Sequence, residues 1–310
     1  MLIEVIRGRA PREWLRKGRF TPIDPDRPEA RKAHMRLKKD LIGWLKGKAE
    51  GVADQLARLL DLVEKAKRKP GGDPVALATA AQRAADVLAQ LDFDDWTDLI
   101  VLAHPRLQAM AQEGAAAALA QLGIDPSNEV TALLEGKTTE WASQRAAELV
   151  GRRRLDDGTL VENPNATWRI DASTREKLRG LTEEALAEGW SADELKAAVK
   201  DSGAFSSARA ETIARTEIAH ADMAGAMAGY RASGVVRGKV WSTAADDRVS
   251  EECQACADAG EISLDDLFPG GVDAPPLHPR CRCTVLPVLE GEQAEQTGSK
   301  SPTKEAQHGQ

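Results

Sequence analysis

All four cysteines of the chain stand in one C-terminal segment, as Cys253-Gln-Ala-Cys256 and, after an intervening loop, Pro275-Pro-Leu-His278-Pro-Arg-Cys281-Arg-Cys283. Two soft ligands separated by two residues can close a tight turn around one Zn²⁺, and His278-x-x-Cys281 or Cys281-x-Cys283 can supply the facing pair. Five candidates compete for four places. The expected set is Cys253, Cys256 and Cys281, with His278 ahead of Cys283 for the fourth place because His-x-x-Cys forms the same two-residue chelate loop as Cys-x-x-Cys. If Cys283 binds instead, His278 would orient the site from just outside it. A closed four-ligand site is usually structural, and it can add about 10–16 kcal/mol of apparent binding free energy to folding. Unligated or redox-active thiols and a catalytic metal are the other readings of the same residues. The start, Met1-Leu-Ile-Glu-Val-Ile-Arg7, interrupts its apolar run with Glu4 and Arg7 and does not read as a secretory signal. Synthesis in reducing cytosol is therefore expected, which disfavours disulfides.

Elsewhere the chemistry-bearing residues have quieter explanations, and no catalytic residue is expected. Within Ile213-Ala-Arg215-Thr216-Glu217, Arg215 and Glu217 lie two apart and do not face each other on a helix, whereas Glu211 and Arg215 are four apart and can pair. No His or second carboxylate stands at a spacing that demands acid–base work. His220 reads as a satisfied helix histidine, and Asp246-Asp-Arg248 as a turn whose carboxylates cap backbone N–H groups. The chain has no His-x-Glu before its Cys-x-x-Cys, no Walker-type glycine loop and no His-Glu-x-x-His, so deaminase, ATPase and zincin readings lack a motif.

The elements that must position these residues are mostly helical. The 310 residues are 42% apolar with one tyrosine and four phenylalanines, an Ala-rich and aromatic-poor composition that favours helices packed through small residues. The expected fold is mainly α with a small α+β, zinc-knuckle-containing C-terminal region. Leu37, Leu41, Trp44, Leu45, Val52, Leu56, Leu59, Leu60 and Val63 recur at three- and four-residue steps, which predicts a helix from about Pro28 to Lys69, stopped by Pro70-Gly-Gly72. Further helices are expected over Pro74–Leu91 and Asp95–Leu122, the latter bent or split by Pro105. Trp14, Trp44 and Trp96 read as core. Residues 151–170 read as a polar loop with a hairpin tip at Asp157-Gly158. Ser191-Ala-Asp-Glu194 is a capping box, and a helix over Ser207–Ala232 stops at Ser233-Gly234 before a strand at Val235–Trp241.

Net charge is −7, but residues 1–50 hold 14 Lys+Arg against 7 Asp+Glu, a local +7 that leaves −14 for the rest. Arg7, Arg9, Arg12, Arg16, Lys17 and Arg19, then Arg31, Lys32, Arg36, Lys38 and Lys39, could meet nucleic-acid phosphates or an acidic protein, or simply form a solvated helix face. No apolar run reaches membrane-spanning length, so no membrane partner is expected. The expected division is a helical region 1–140, basic at its start, a domain 141–290 carrying the Cys/His knuckle at 253–283, and a polar tail 291–310 expected to be disordered.

From Trp141 to Leu289, Ile213-Ala-Arg-Thr-Glu217, Gly229-Tyr230, Gly234-Val-Val236, Lys239-Val-Trp241, Asp246-Asp-Arg-Val249 and the Cys/His pattern occur in order. This half of the chain resembles the phage Mu F-like minor head proteins, the head-morphogenesis family; residues 1–140 lie outside the resemblance. One departure is Ser250, where many members would carry a cysteine-rich turn. The resemblance implies a non-enzymatic minor capsid protein, in low copy near the portal vertex or inside the capsid. It would be in the host cytoplasm during prohead assembly, with a possible part in genome packaging or ejection. The implied partners are the portal protein and the major capsid or scaffolding protein, with packaged DNA held by the basic N-terminal region. On this view the knuckle clamps the loop 257–280 onto the strand 236–243 and the helix 207–232 as a rigid docking module. Two other classes compete: a metal-dependent nuclease or toxin-like effector delivered with the genome, working near Asp246, Asp247, Glu251 or Glu252, and a DNA-binding adaptor.

Overall fold

A computed structural model describes residues 20–67 and 80–290. The expectations for Trp14, for the basic residues 7–19, for the stop at Lys69–Gly72 and for the tail 291–310 lie outside the described residues. The apolar stripe of the first long segment forms α1 (Pro28–Lys67), which buries Leu37, Leu41, Trp44, Leu45, Val52, Leu56 and Leu60. α2 (Ala80–Ala89) follows, and a 3₁₀ turn at Asp94–Thr97 precedes α3 (Asp98–Gln121), so that helix starts three residues later than the sequence suggests. Trp44 and Trp96 are both buried, edge to face at 4.9 Å, and Trp44 Nε1 donates to Asp98 Oδ1 at 2.8 Å.

Pro105 does not split α3, which runs through it without a break. Proline removes the bond to the carbonyl four residues earlier, here that of Val101, whose side chain is 79% exposed. Water can satisfy the freed carbonyl on that face, which is why the helix tolerates the residue.

α4 (Asn128–Glu148) is capped by Ser127, and the expected polar loop beyond it contains a short hairpin, β1 (Arg152–Arg154) with β2 (Leu160–Glu162). Its tip is at Asp157-Gly158, where Gly158 takes φ +85° and Asp157 Oδ1 accepts the Thr159 N–H at 2.9 Å. α5 (Ile170–Glu188) leads to α6 (Ala192–Asp201), whose capping box forms as expected: Glu194 N donates to Ser191 Oγ, and Ser191 N donates to Glu194 Oε2. α7 (Ser207–Ser233) ends on the left-handed Gly234. Then come β3 (Val236–Ser242), α8 (Glu251–Asp258), β4 (Glu261–Ser263) and β5 (Thr284–Leu289), with β3 central between antiparallel β4 and β5.

Helices on both sides of residue 140 share one core, in which Leu37, Leu41, Ala103 and Leu107 join Ala142, Ala214 and Ile218. A second core gathers Met223, Met227 and Tyr230 with Trp241, Phe268, Val285 and all four cysteines. The two cores are bridged by α3 against α7, and that seam is built from small residues. A Cβ on Gly225 would fall 1.8 Å from the Ala111 carbonyl oxygen, and one on Gly114 would fall 2.1 Å from that of Asp222. Mid-helix glycine costs about 1 kcal/mol relative to alanine; the close backbone approach offsets it. Gly225→Val is therefore expected to force the helices apart and lower the unfolding free energy by about 1–3 kcal/mol. Urea melts of the pure chain check this, and an unchanged midpoint would show that the seam is looser than described.

Candidate metal centre

The site is assembled by a helix and a loop that a hydrogen-bond network locks to the rest of the chain. Ser250 caps α8, its Oγ accepting the Cys253 N–H at 3.2 Å. Cys253 and Cys256 thus lie three apart on one buried helical face, not on the tight turn that Cys-x-x-Cys suggested. The other half of the site precedes β5, where Cys281 N donates to the His278 carbonyl at 3.2 Å and Arg280 takes φ +62°.

Three of the five expected ligands converge. Cys253 Sγ lies 3.3 Å from His278 Nε2 and 3.6 Å from Cys281 Sγ, and the three ligand atoms lie within 4.8 Å of one another. Tetrahedral bonds of about 2.3 Å require ligand–ligand edges of about 3.8 Å, so the group could hold a metal ion with little movement. His278 Nδ1 lies 3.0 Å from the Pro279 carbonyl oxygen. A carbonyl can only accept, so Nδ1 carries the proton and Nε2 presents its lone pair to the sulfurs. The Cys283 thiol hydrogen-bonds to Cys281, and with the Cys283 backbone N–H it brings the Cys281 thiol down to about 5; burial pushes Cys253 up. Cys256 is placed differently, its Sγ donating to the Pro269 carbonyl at 3.1 Å. Among the described residues no carboxylate joins the group.

The surrounding loop is fastened at three points. Arg280 N donates to Thr216 Oγ1 on α7 at 3.0 Å. Arg282 forks onto Asp246 with bonds of 2.6 and 2.7 Å, holding that carboxyl well below the usual range, and Asp246 Oδ1 also accepts the Arg248 N–H as the turn reading expected. Asp273 receives Arg231 at 2.8 Å and the fully buried Lys239 of β3. Burial opposes ionisation of Asp273, but these two cations hold its carboxyl below the ordinary value.

The Arg-Thr-Glu element on α7 anchors three different segments. Arg215 reaches Asp26 ahead of α1 at 3.5 Å, Thr216 holds the metal loop, and Glu217 is buried against Arg145 of α4. The expected Glu211–Arg215 pair does not form. Glu211 instead reaches Lys38 at 2.8 Å and His34 at 3.2 Å, because α1 lies along that face of α7 and offers opposite charge across the interface. His220 also departs from expectation: its Nδ1 has no hydrogen-bond partner, and its ring sits against the edges of Trp141 and Trp168. Burial, helped by Arg145, lowers its pKa to about 4 and keeps it neutral. Arg145, Lys239, Asp273 and Arg209 carry no spacing signal, since their partners are distant in sequence.

Residues 176–286, which include the Arg-Thr-Glu element and all five Cys/His candidates, match the family described as Phage Mu protein F like protein. The match starts at residue 176, later than Trp141. No curated protein and no solved structure matches the chain.

Proposed function

We propose that this protein is a minor head protein that acts structurally at or near the portal vertex of a tailed phage during prohead assembly. The observation that carries the reading is the match of residues 176–286 to the family described as Phage Mu protein F like protein. The anchoring pattern supports it: residues of the Arg-Thr-Glu element and the Asp246 turn are spent on tying elements together. Arg215, Thr216 and Glu217 each hold a separate part of the chain, and Asp246 is occupied by Arg282.

Zinc is the proposed ion, held by Cys253, His278 and Cys281, with Cys283, two residues from Cys281 and buried in the same cluster, proposed for the fourth place. Bound there, zinc would supply a rigid cross-link between α8 and the loop before β5. The chain's own residues then present α7, β3 and the loop 257–280 as one docking surface for portal, major capsid or scaffolding protein. Lys32, Arg36, Lys39 and Lys46 are exposed along α1 and would face an acidic partner or packaged DNA. A metal-dependent nuclease reading gains no support from the ligand group, which among the described residues contains no Asp or Glu.

Quantitative mass spectrometry of nuclease-treated, density-purified particles tests the reading. Presence at low copy, tracking the portal and far below the major capsid protein, is expected. Absence from both proheads and mature particles would overturn it.

A further inference from the structure

Arg209 of α7 is a buried cation without a counter-ion. It is 6% exposed, and among the described residues no carboxylate pairs with it. Its terminal nitrogens donate to Thr174 Oγ1, Ser173 Oγ and the carbonyls of Ala204 and Ile170, all neutral acceptors. A guanidinium has five N–H donors, and the Nε–H has no acceptor in this set. Buried charges are ordinarily paired, so an unpaired one beside an open space asks for an anion.

The open space is there. A cleft of about 510 Å³ is lined by Trp168, Ser173, Lys177, Arg209, Thr212 and Glu217. Glu217 does not offset Arg209, because both of its oxygens are engaged by Arg145 at 2.8 Å. Lys177 is exposed at the same cleft and forms no ion pair among the described residues. The cleft therefore has two cations to spare. Its wall includes Trp168, a residue held at φ +54°, over whose ring Arg145 lies at 5.6 Å. Bulky side chains rarely adopt that conformation, and such strain concentrates at binding sites.

We propose that this cleft binds a nucleoside phosphate, with the phosphate between Arg209 Nε and Lys177 and the base stacked on Trp168. Aromatic stacking suits any base, and a cation pair suits one phosphate group, so the site takes a free nucleotide or a strand end without reading sequence. The inference stands apart from the head-protein reading, since a purified chain would bind whatever its place in a particle.

The test is titration calorimetry of the full chain with thymidine 5′-monophosphate, thymidine, inorganic phosphate, and a ten-residue oligothymidylate with and without a 5′-phosphate. Thymidine 5′-monophosphate is expected to bind at least tenfold more tightly than thymidine or inorganic phosphate. Preference of at least tenfold for the 5′-phosphorylated oligomer over the 5′-hydroxyl one would assign a strand end; binding of the mononucleotide alone would assign a free nucleotide. Lys177→Glu, on an exposed side chain, should weaken binding at least tenfold with an unchanged melting curve. Trp168→Gly accepts the left-handed backbone without strain and should abolish the preference for the nucleotide over phosphate. No binding at millimolar ligand, or binding that neither variant alters, would overturn the proposal.

Discussion

Arg145→Met is expected to lower the unfolding free energy by about 3–5 kcal/mol, because it leaves a fully buried carboxylate without its partner. Arg145 Nε and Nη2 each donate to one oxygen of Glu217 at 2.8 Å, Nη1 reaches Glu148 at 3.0 Å, and both Arg145 and Glu217 are 2% exposed. Burial alone would push the Glu217 carboxyl up; the Arg145 guanidinium overcomes it and holds the carboxyl below its ordinary value. The sign of the pH dependence follows. With Arg145 present, the folded pKa is lowered, so the contribution is complete above about 4.3 and is lost as pH falls through the folded value. In Arg145→Met the main lowering influence is gone and only the weaker one of His220 still opposes burial, so the folded pKa rises above the unfolded one and stability is lost as pH rises instead. The variant should therefore be weaker at pH 8 than at pH 5, whereas the parent should not. Adding Glu217→Leu should recover most of the loss, since the buried charge goes with it. Guanidinium melts at the two pH values measure all of this, and a double variant as weak as the single one would contradict the account.

The second large effect concerns the metal. One zinc per chain is expected by elemental analysis, falling to none in Cys253→Ser with Cys281→Ser. Structural zinc contributes up to about 10–16 kcal/mol where a small module folds only around the ion. Here the helical core has its own apolar interior, so the loss should be confined to the second core. Hydrogen exchange should open α8, β4 and the loop before β5, while α1, α3 and the first half of α7 stay protected. The single variants discriminate the ligand set. Cys256→Ser should keep its zinc, because that sulfur serves the Pro269 carbonyl, whereas Cys283→Ser should weaken zinc binding at least tenfold. The reverse result would move Cys256 into the site and Cys283 out of it.

Much of the local structure is legible in the residues because its causes are local. Apolar recurrence at helical spacing marks α1, Ser191 and Glu194 lie within one turn of each other, Gly234 stops α7 where its φ turns positive, and Asp157-Gly158 turns the hairpin. The Cys/His pattern likewise marks residues that could hold a soft metal, since the ligand types are few and their order is distinctive. Spacing does not fix which of those ligands converge. Cys253 and Cys256 have the same spacing to the rest whether they sit on a turn or on a helix. Only the packing of α8 against the loop sends one sulfur to His278 and the other to a backbone carbonyl.

The ion pairs divide the same way. Glu211 and Arg215 satisfy the four-residue rule for a lone helix, yet Glu211 turns to Lys38 of α1 and Arg215 to Asp26 just ahead of it. Glu217 finds Arg145, and Arg209 finds only neutral acceptors, through contacts that span 72 residues in one case and up to 39 in the other. By itself the sequence determined the helices, their caps, the resemblance of the C-terminal segment and the grouping of its Cys/His candidates, because each depends on residues within a few positions of one another. The tertiary structure alone decided which sulfurs converge, which charges are compensated and which cation is left facing a cleft. Those outcomes depend on which helix faces come together, and no spacing along the chain records that.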